Sequence, residues 1–178
     1  MRELSVQNLL ERYASGERNF NQVNLSNADL FEAKLPEINF AGSNLTQAYL
    51  PYANLQNANL ARSQLQASEL SDAQLYQSNL SEANLSGANL SRTNLRYANL
   101  TGANLTSANL QGADLFGADL SNANLTGANL TKANLAQANL TSSRLVGANL
   151  FRARNVELSD AEIDSSTIGT DGYPSDRD

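Results

Sequence analysis

The chain reads as an all-β solenoid, a coil of short extended pieces, and three observations carry that reading. From Phe20 to Leu150 every fifth residue is large and apolar, 27 positions in succession that hold 25 Leu and two Phe (Phe20, Phe40). Two places before each stands a small residue, Ala in 18 cases and Ser in five, with Thr93, Val23, Ile38 and Arg18 as the exceptions. The residue between them is Asn 18 times and Asp three times (Asp29, Asp114, Asp119).

A period of five fits neither common element. In an α-helix five residues advance about 500°, so the leucines would spiral around the rod instead of lining one face. In a strand the side-chain period is two, and residues five apart point to opposite sides. A chain that bends once per beat buries every leucine, and self-similarity this strict is the mark of a solenoid. A residue two back along an extended piece points to the same side, so the small residues also face inward. Asn and Asp bond nearby backbone groups and stabilise turns. Within the array Gly occurs only at the second place after the large residue, as at Gly42, Gly87 and Gly147. That place fits the third residue of a type II turn, which requires positive φ.

With Ala83-Asn84-Leu85-Ser86-Gly87 as its type, the pattern resembles the pentapeptide-repeat family, whose motif is written A-(D/N)-L-x-x, over residues 16 to 150. The resemblance implies a right-handed quadrilateral β-helix with four pentapeptides, and so 20 residues, per coil. Twenty-seven repeats then make about seven coils, and at ~4.8 Å per coil the rod is roughly 32 Å long. The lead-in from Leu9 to Phe20, Leu-Leu-Glu-Arg-Tyr-Ala-Ser-Gly-Glu-Arg-Asn-Phe, looks like that of cyanobacterial members.

In chain order, residues 1–19 are expected to form an N-terminal capping helix and lead-in. Val6, Leu9, Leu10 and Tyr13 follow helical spacing, Ser5 is placed as N-cap and Gly16 as C′ residue. A solenoid end needs such a cap over its core and unpaired edge. Residues 20–150 form the β-helix, its first coil widened by Phe20 and Phe40 with Val23 and Ile38. After Leu150 the beat breaks, and Leu158, Ile163 and Ile168 are read as a three-residue insertion and a last partial coil over 151–168. Ser159-Asp160-Ala161-Glu162 also matches a capping box, so a short helix is the other option there. Residues 169–178 are expected to be a disordered tail.

Twenty-residue spacing places Arg62 beside Glu82 and Asp72 beside Arg92. It stacks Tyr76, Arg96 and Phe116 in one outward column, with Arg between two rings. Phe31, Tyr49, Pro51 and Tyr52 crowd a neighbouring face near the N-terminal end.

The chain of 178 residues has no His and no Cys. Ser–His triads, Cys nucleophiles and Cys/His zinc sites are therefore excluded. No nucleotide-binding glycine motif occurs, and the carboxylates are dispersed on a convex rod. No cofactor or metal is expected. The N-terminus lacks the apolar core of a signal peptide, and no run approaches the ~20 apolar residues of a membrane span; a cytoplasmic protein is expected. Residues 20–150 carry eight acids and six bases, whereas 151–178 carry seven acids and three arginines.

The function expected from these features is a non-enzymatic protein-interaction or scaffold module. Its candidate contact residues are Tyr76, Arg96 and Phe116, with Phe31, Tyr49 and Tyr52. The alternative, drawn from the resemblance, is a DNA-mimicking regulator of a type II topoisomerase such as gyrase, which would need a far more negative rod. Direct nucleic-acid binding is not expected without a basic stripe. The expected state is a monomer, or one with weak C-terminal end-to-end association, because seven acids crowd that end.

Overall fold

The computed structural model describes residues 1–175 and is a right-handed quadrilateral β-helix. From Asn19 paired with Asn39 to Asn134 paired with Arg154, each side of a coil lies parallel to the side 20 residues later. All 27 large residues from Phe20 to Leu150 are buried, the most accessible being Leu140 at 5 %. Phe20 and Phe40 meet in adjacent coils with ring centroids 6.4 Å apart, and Val23 and Ile38 are buried beside them.

One repeat, Ser78 to Glu82, shows where the backbone donors go. Ser78 N–H closes the turn onto Leu75 C=O (3.1 Å), and Asn79 N–H reaches back to Ala58 C=O (2.9 Å). Leu80 and Glu82 N–H groups donate forward to Asn99 (2.7 Å) and Thr101 (2.9 Å). The remaining donor, Ser81 N–H, is taken by the side-chain Oδ1 of Asn79 at 3.0 Å. Every N–H of the repeat is thus satisfied, and the asparagine is what completes the set.

The Asn Nδ2 groups add a second function that twenty-residue stacking brings about. Asn109 donates to Asn89 (3.1 Å) and Asn129 to Asn109 (3.2 Å), so the side chains form a ladder between coils. Buried Ser63, Ser68, Ser78 and Ser143 keep their hydroxyls satisfied by donating to the carbonyl three residues back. All 27 turns from Gln22 to Arg152 have positive φ at their third residue, although only seven of those residues are Gly.

The N-terminal cap combines a strand and a helix. β1 (Arg2–Glu3) pairs in parallel with β2 (Val23–Asn24) and closes one edge of the first coil. α1 (Val6–Ala14) starts at Ser5, whose side chain accepts from Asn8 N–H. It ends with Gly16 N–H on Tyr13 C=O (3.0 Å) and Glu17 N–H on Arg12 C=O (3.1 Å), the Schellman pattern. Leu9 is buried, and Leu4, Val6 and Tyr13 pack against the core, with Tyr13 Oη donating to Pro36 C=O at 2.8 Å. Leu10 instead faces out, 41 % exposed. At 100° per residue it lies about 65° from the centre of the stripe formed by Val6, Leu9 and Tyr13, at the margin of the contact.

The C-terminal break is a shortening and not the expected three-residue insertion. Arg144 pairs with Glu162 and Asn149 with Ile168, separations of 18 and 19 in place of 20. Leu158 to Ile163 is one ordinary repeat, closed by Ala161 N–H on Leu158 C=O at 3.1 Å, so residues 159–162 form a turn and no helix. The next turn, Thr167 N–H on Asp164 C=O (3.0 Å), begins one residue late. That slip puts Thr167 in the small inward place, its hydroxyl donating to Leu145 C=O (2.9 Å), and shifts Ile168 outward to the Asn rung. Ile163 stands in the large place but is 36 % exposed, because no coil among the described residues stacks over it.

Residues 169–175, expected as disordered tail, fold back in a tight turn: Ile168 bridges Pro174 antiparallel and Ser175 N–H donates to Thr167 C=O at 2.9 Å. The open edge donors and acceptors of the last coil draw this segment in. Residues 176–178 of that tail lie outside the described residues.

Candidate interaction surface

The interior is a closed Leu/Ala stack, so any site is on the outside. Surface recesses are open: one is a groove along a corner lined by Ala41, Gly42, Ala61 and Arg62, and another lies at the C-terminal end between Val156, Leu158, Ile163 and Tyr173. Among the described residues no group of three or more His, Cys, Asp or Glu is placed to hold a metal ion. No helix among them is long and apolar enough to cross a membrane.

The expected column Tyr76–Arg96–Phe116 exists with a different centre. Tyr97, not Arg96, stands between the rings: it meets Tyr76 edge-on (6.0 Å, 90°) and Phe116 edge-on (5.5 Å, 83°). Edge-to-face pairing at these distances is the arrangement aromatic quadrupoles favour. Arg96 lies beside this ladder with Cζ 4.4 Å from the Phe116 centroid, and its Nη1 donates to Asp114 Oδ2 at 3.1 Å. Burial pushes the Asp114 carboxyl up, but bonds from Arg96, the Phe116 N–H and Asn134 bring it net below the ordinary value.

Phe31, Tyr49 and Tyr52 do come together as expected. Phe31 stacks on Tyr49 (6.0 Å, 16°) and meets Tyr52 edge-on (6.0 Å, 82°). Phe31–Tyr52 and Tyr76–Tyr97 are both separated by 21 residues. Ring neighbours at these corners are thus diagonal, the first turn residue of one coil touching the second turn residue of the next. A 21-residue count would have found Tyr97; the 20-residue count missed it.

Pro36 and Pro51 explain two of the rungs that lack Asn. Each stands where the side-chain-capped N–H of a turn would be, and proline has none to cap. Lys34 and Tyr49 therefore occupy the Asn rung of their repeats without leaving a donor orphaned.

The stacked ion pairs follow the expected columns. Arg62 bonds Glu82 through two nitrogens (3.0 and 3.2 Å) and Arg92 bonds Asp72 likewise (2.8 and 2.6 Å). Exposed pairs of this kind are screened by water and salt and mark the register more than they stabilise it.

The family profile for pentapeptide repeats matches in eight copies, over residues 24–60, 43–81, 83–122 and 118–154. The chain belongs to the pentapeptide-repeat family. Among solved structures it is similar to HetL, a pentapeptide-repeat protein of the cyanobacterium Nostoc involved in the regulation of heterocyst differentiation. The likeness is 28 % identity over 96 % of this chain and 99 % of that one, with a TM-score of 0.62. A pentapeptide-repeat protein of the Arabidopsis thaliana thylakoid lumen is 30 % identical over 52 % of this chain and 65 % of that one, at a TM-score of 0.52. Rfr23 of the cyanobacterium Cyanothece is 29 % identical over 92 % and 99 %, with a TM-score of 0.46. A search of curated proteins finds no match.

Proposed function

We propose that this pentapeptide-repeat chain is a non-enzymatic protein-interaction scaffold, with the Tyr76–Tyr97–Phe116 ladder and Arg96 as its contact strip. The observation that carries the reading is the ladder itself: three rings locked edge-to-face along one corner, with Tyr97 45 % exposed. Tyr and Arg are the residue types that dominate binding energy at interfaces. Side chains fixed on a hydrogen-bonded coil have little freedom left to lose on binding, which favours affinity. The likeness to HetL over nearly the whole of both chains supports a regulatory role exercised through association.

Affinity capture with the wild-type chain and with a Tyr76→Ala/Tyr97→Ala/Phe116→Ala variant tests this. Proteins retained by the first bait and lost by the second, at equal melting temperature, are the expected result. Identical recovery on both baits would remove the strip from the reading.

A further inference from the structure

Near the N-terminal end, two adjacent columns alternate in the same way. Asp29, Tyr49 and Glu69 are successive rungs of one ladder. Glu32, Tyr52 and Asp72 are successive turn residues at the corner that follows. Neighbouring rungs stand ~4.8 Å apart, so each tyrosine has a carboxylate directly on either side. Phe31 bridges the two columns by packing on both tyrosines. The three rings are 47 %, 46 % and 54 % exposed for Phe31, Tyr49 and Tyr52.

Other aromatic groups on this rod carry their own guanidinium. Arg96 lies over Phe116 at 4.4 Å, Arg152 over Phe151 at 4.9 Å and Arg18 over Tyr13 at 3.9 Å. Among the described residues no guanidinium stands over Phe31, Tyr49 or Tyr52. Of the four flanking carboxylates, only Asp72 is ion-paired among the described residues, to Arg92. The cluster thus presents electron-rich ring faces and three acids outside any ion pair among the described residues, of which Asp29 accepts from Phe31 N–H and Glu69 from Asn89 Nδ2, while Arg92 stands at its Asp72 edge. An arginine side chain matches that chemistry better than a lysine. Its planar guanidinium stacks on a ring while its in-plane N–H groups bond a carboxylate.

We propose that the acid–tyrosine columns Asp29–Tyr49–Glu69 and Glu32–Tyr52–Asp72, joined by Phe31, dock an arginine side chain of a protein partner. The guanidinium stacks on Tyr49 or Tyr52 and its N–H groups bond Asp29, Glu32 or Glu69. Pro51 suits the arrangement, because it has no N–H for an Asn at position 49 to cap. This surface is separate from the Tyr97 strip and stands or falls independently of it.

The molecule contains its own control for simple charge attraction: residues 151–178 hold seven acids against three arginines. The test titrates acetyl-Gly-Arg-Ala-Arg-Gly-amide, and the same peptide with citrulline for arginine, into the isotope-labelled full chain followed by NMR. Saturable shifts at residues 29–32, 49–53 and 69–72 with the arginine peptide, and none with citrulline, are expected. Tyr49→Ala, Tyr52→Ala and the double variant Glu32→Gln/Glu69→Gln should each weaken binding about five- to tenfold at unchanged melting temperature. Tyr97→Ala should leave peptide binding unaltered, so this site and the strip fail separately. Shifts centred on residues 157–171, an equal response to the citrulline peptide, or indifference to the tyrosine variants would overturn the proposal. So would concentration-dependent shifts of the patch without peptide, which would make a second copy of the chain its occupant.

Discussion

The ring of Tyr97 lies across Gly117 so closely that a Cβ on that glycine would sit 2.7 Å from two ring carbons. Gly117 also has φ +65°, like the other turn residues of its rank. Gly147 shares the φ (+69°), but its Cβ would come no nearer than 3.4 Å to Ser166 Oγ and 3.9 Å to Gly127 N. Gly147→Ala should therefore cost about 1 kcal/mol for the left-handed conformation. Gly117→Ala should cost about 2–3 kcal/mol, because displacement of the ring is added. A Tyr97→Ala background should bring Gly117→Ala down to the Gly147→Ala value, and thermal unfolding of the four variants measures that coupling. Equal costs in both backgrounds would mean the ring does not rest on the glycine.

Inward and outward positions should differ sharply in tolerance. Ala108 is 1 % exposed between Leu105 and Leu110, and Ala108→Leu should destabilise by ~1–3 kcal/mol. Ser107, exposed at the adjacent turn, should accept Lys within ~0.5 kcal/mol. Equal shifts of the denaturant midpoint would contradict the inside–outside assignment.

The cap makes a similar contrast possible within one helix turn. Leu9→Ala should cost ~2–5 kcal/mol, because Leu9 is fully buried against the first coil. Leu10→Ala should stay within ~0.5 kcal/mol, since Leu10 faces solvent. Urea unfolding curves would separate the two; a larger effect at Leu10 would mean that the helix packs by another face.

Acid should weaken the ladder at its Asp rungs. Burial pushes the Asp119 carboxyl up, but bonds from Ser121 N–H, hydroxyls and Asn139 hold it net below the ordinary value. Arg92 holds Asp72 low. A carboxyl depressed on folding contributes stability that is fully present above its unfolded pKa, about 3.9, and lost as pH falls through the folded one. Stability should thus be level between pH ~8 and ~5 and decline below ~4. Asp119→Asn restores the usual rung residue, so it should be neutral within ~0.5 kcal/mol at pH 7 and show a shallower acid decline. Parallel declines for variant and wild type would exclude Asp119 as a contributor.

Gyrase supercoiling should proceed unchanged in the presence of the chain. A duplex mimic must carry dense negative charge, and residues 20–150 hold eight acids against six bases, four of those bases already in ion pairs with acids. Inhibition or protection of the enzyme in a supercoiling assay would reopen the topoisomerase reading.

Much of this was open to a reader of the sequence, because a solenoid repeats one local problem. Leu85 and Ala83 must face inward wherever a five-residue beat buries them, and Ser5 and Gly16 bracket the cap by local capping chemistry. The candidate rings were less accessible. Phe31, Tyr49 and Tyr52 fall into contact by simple stacking, but Tyr97 joins Tyr76 only through the diagonal packing of corner residues. Arg96, assigned between two rings, is drawn aside by Asp114, a contact 18 residues away that no fixed spacing predicts.

By itself the sequence determined the coil, its 20-residue register, the buried Leu and Ala, and the Arg62–Glu82 and Asp72–Arg92 pairs, because each follows from one periodicity carried through the chain. The tertiary structure alone decided what happens where periodicity ends or side chains compete. It turned Leu10 outward and added β1 to the first edge. It shortened the side after Arg154 and slipped Ile168 onto the Asn rung. It also folded residues 169–175 against the last coil and set Tyr97 over Gly117. Those outcomes depend on which unpaired edge groups and ring faces lie within reach once the coils are stacked, a matter of distances across the rod and not of spacing along the chain.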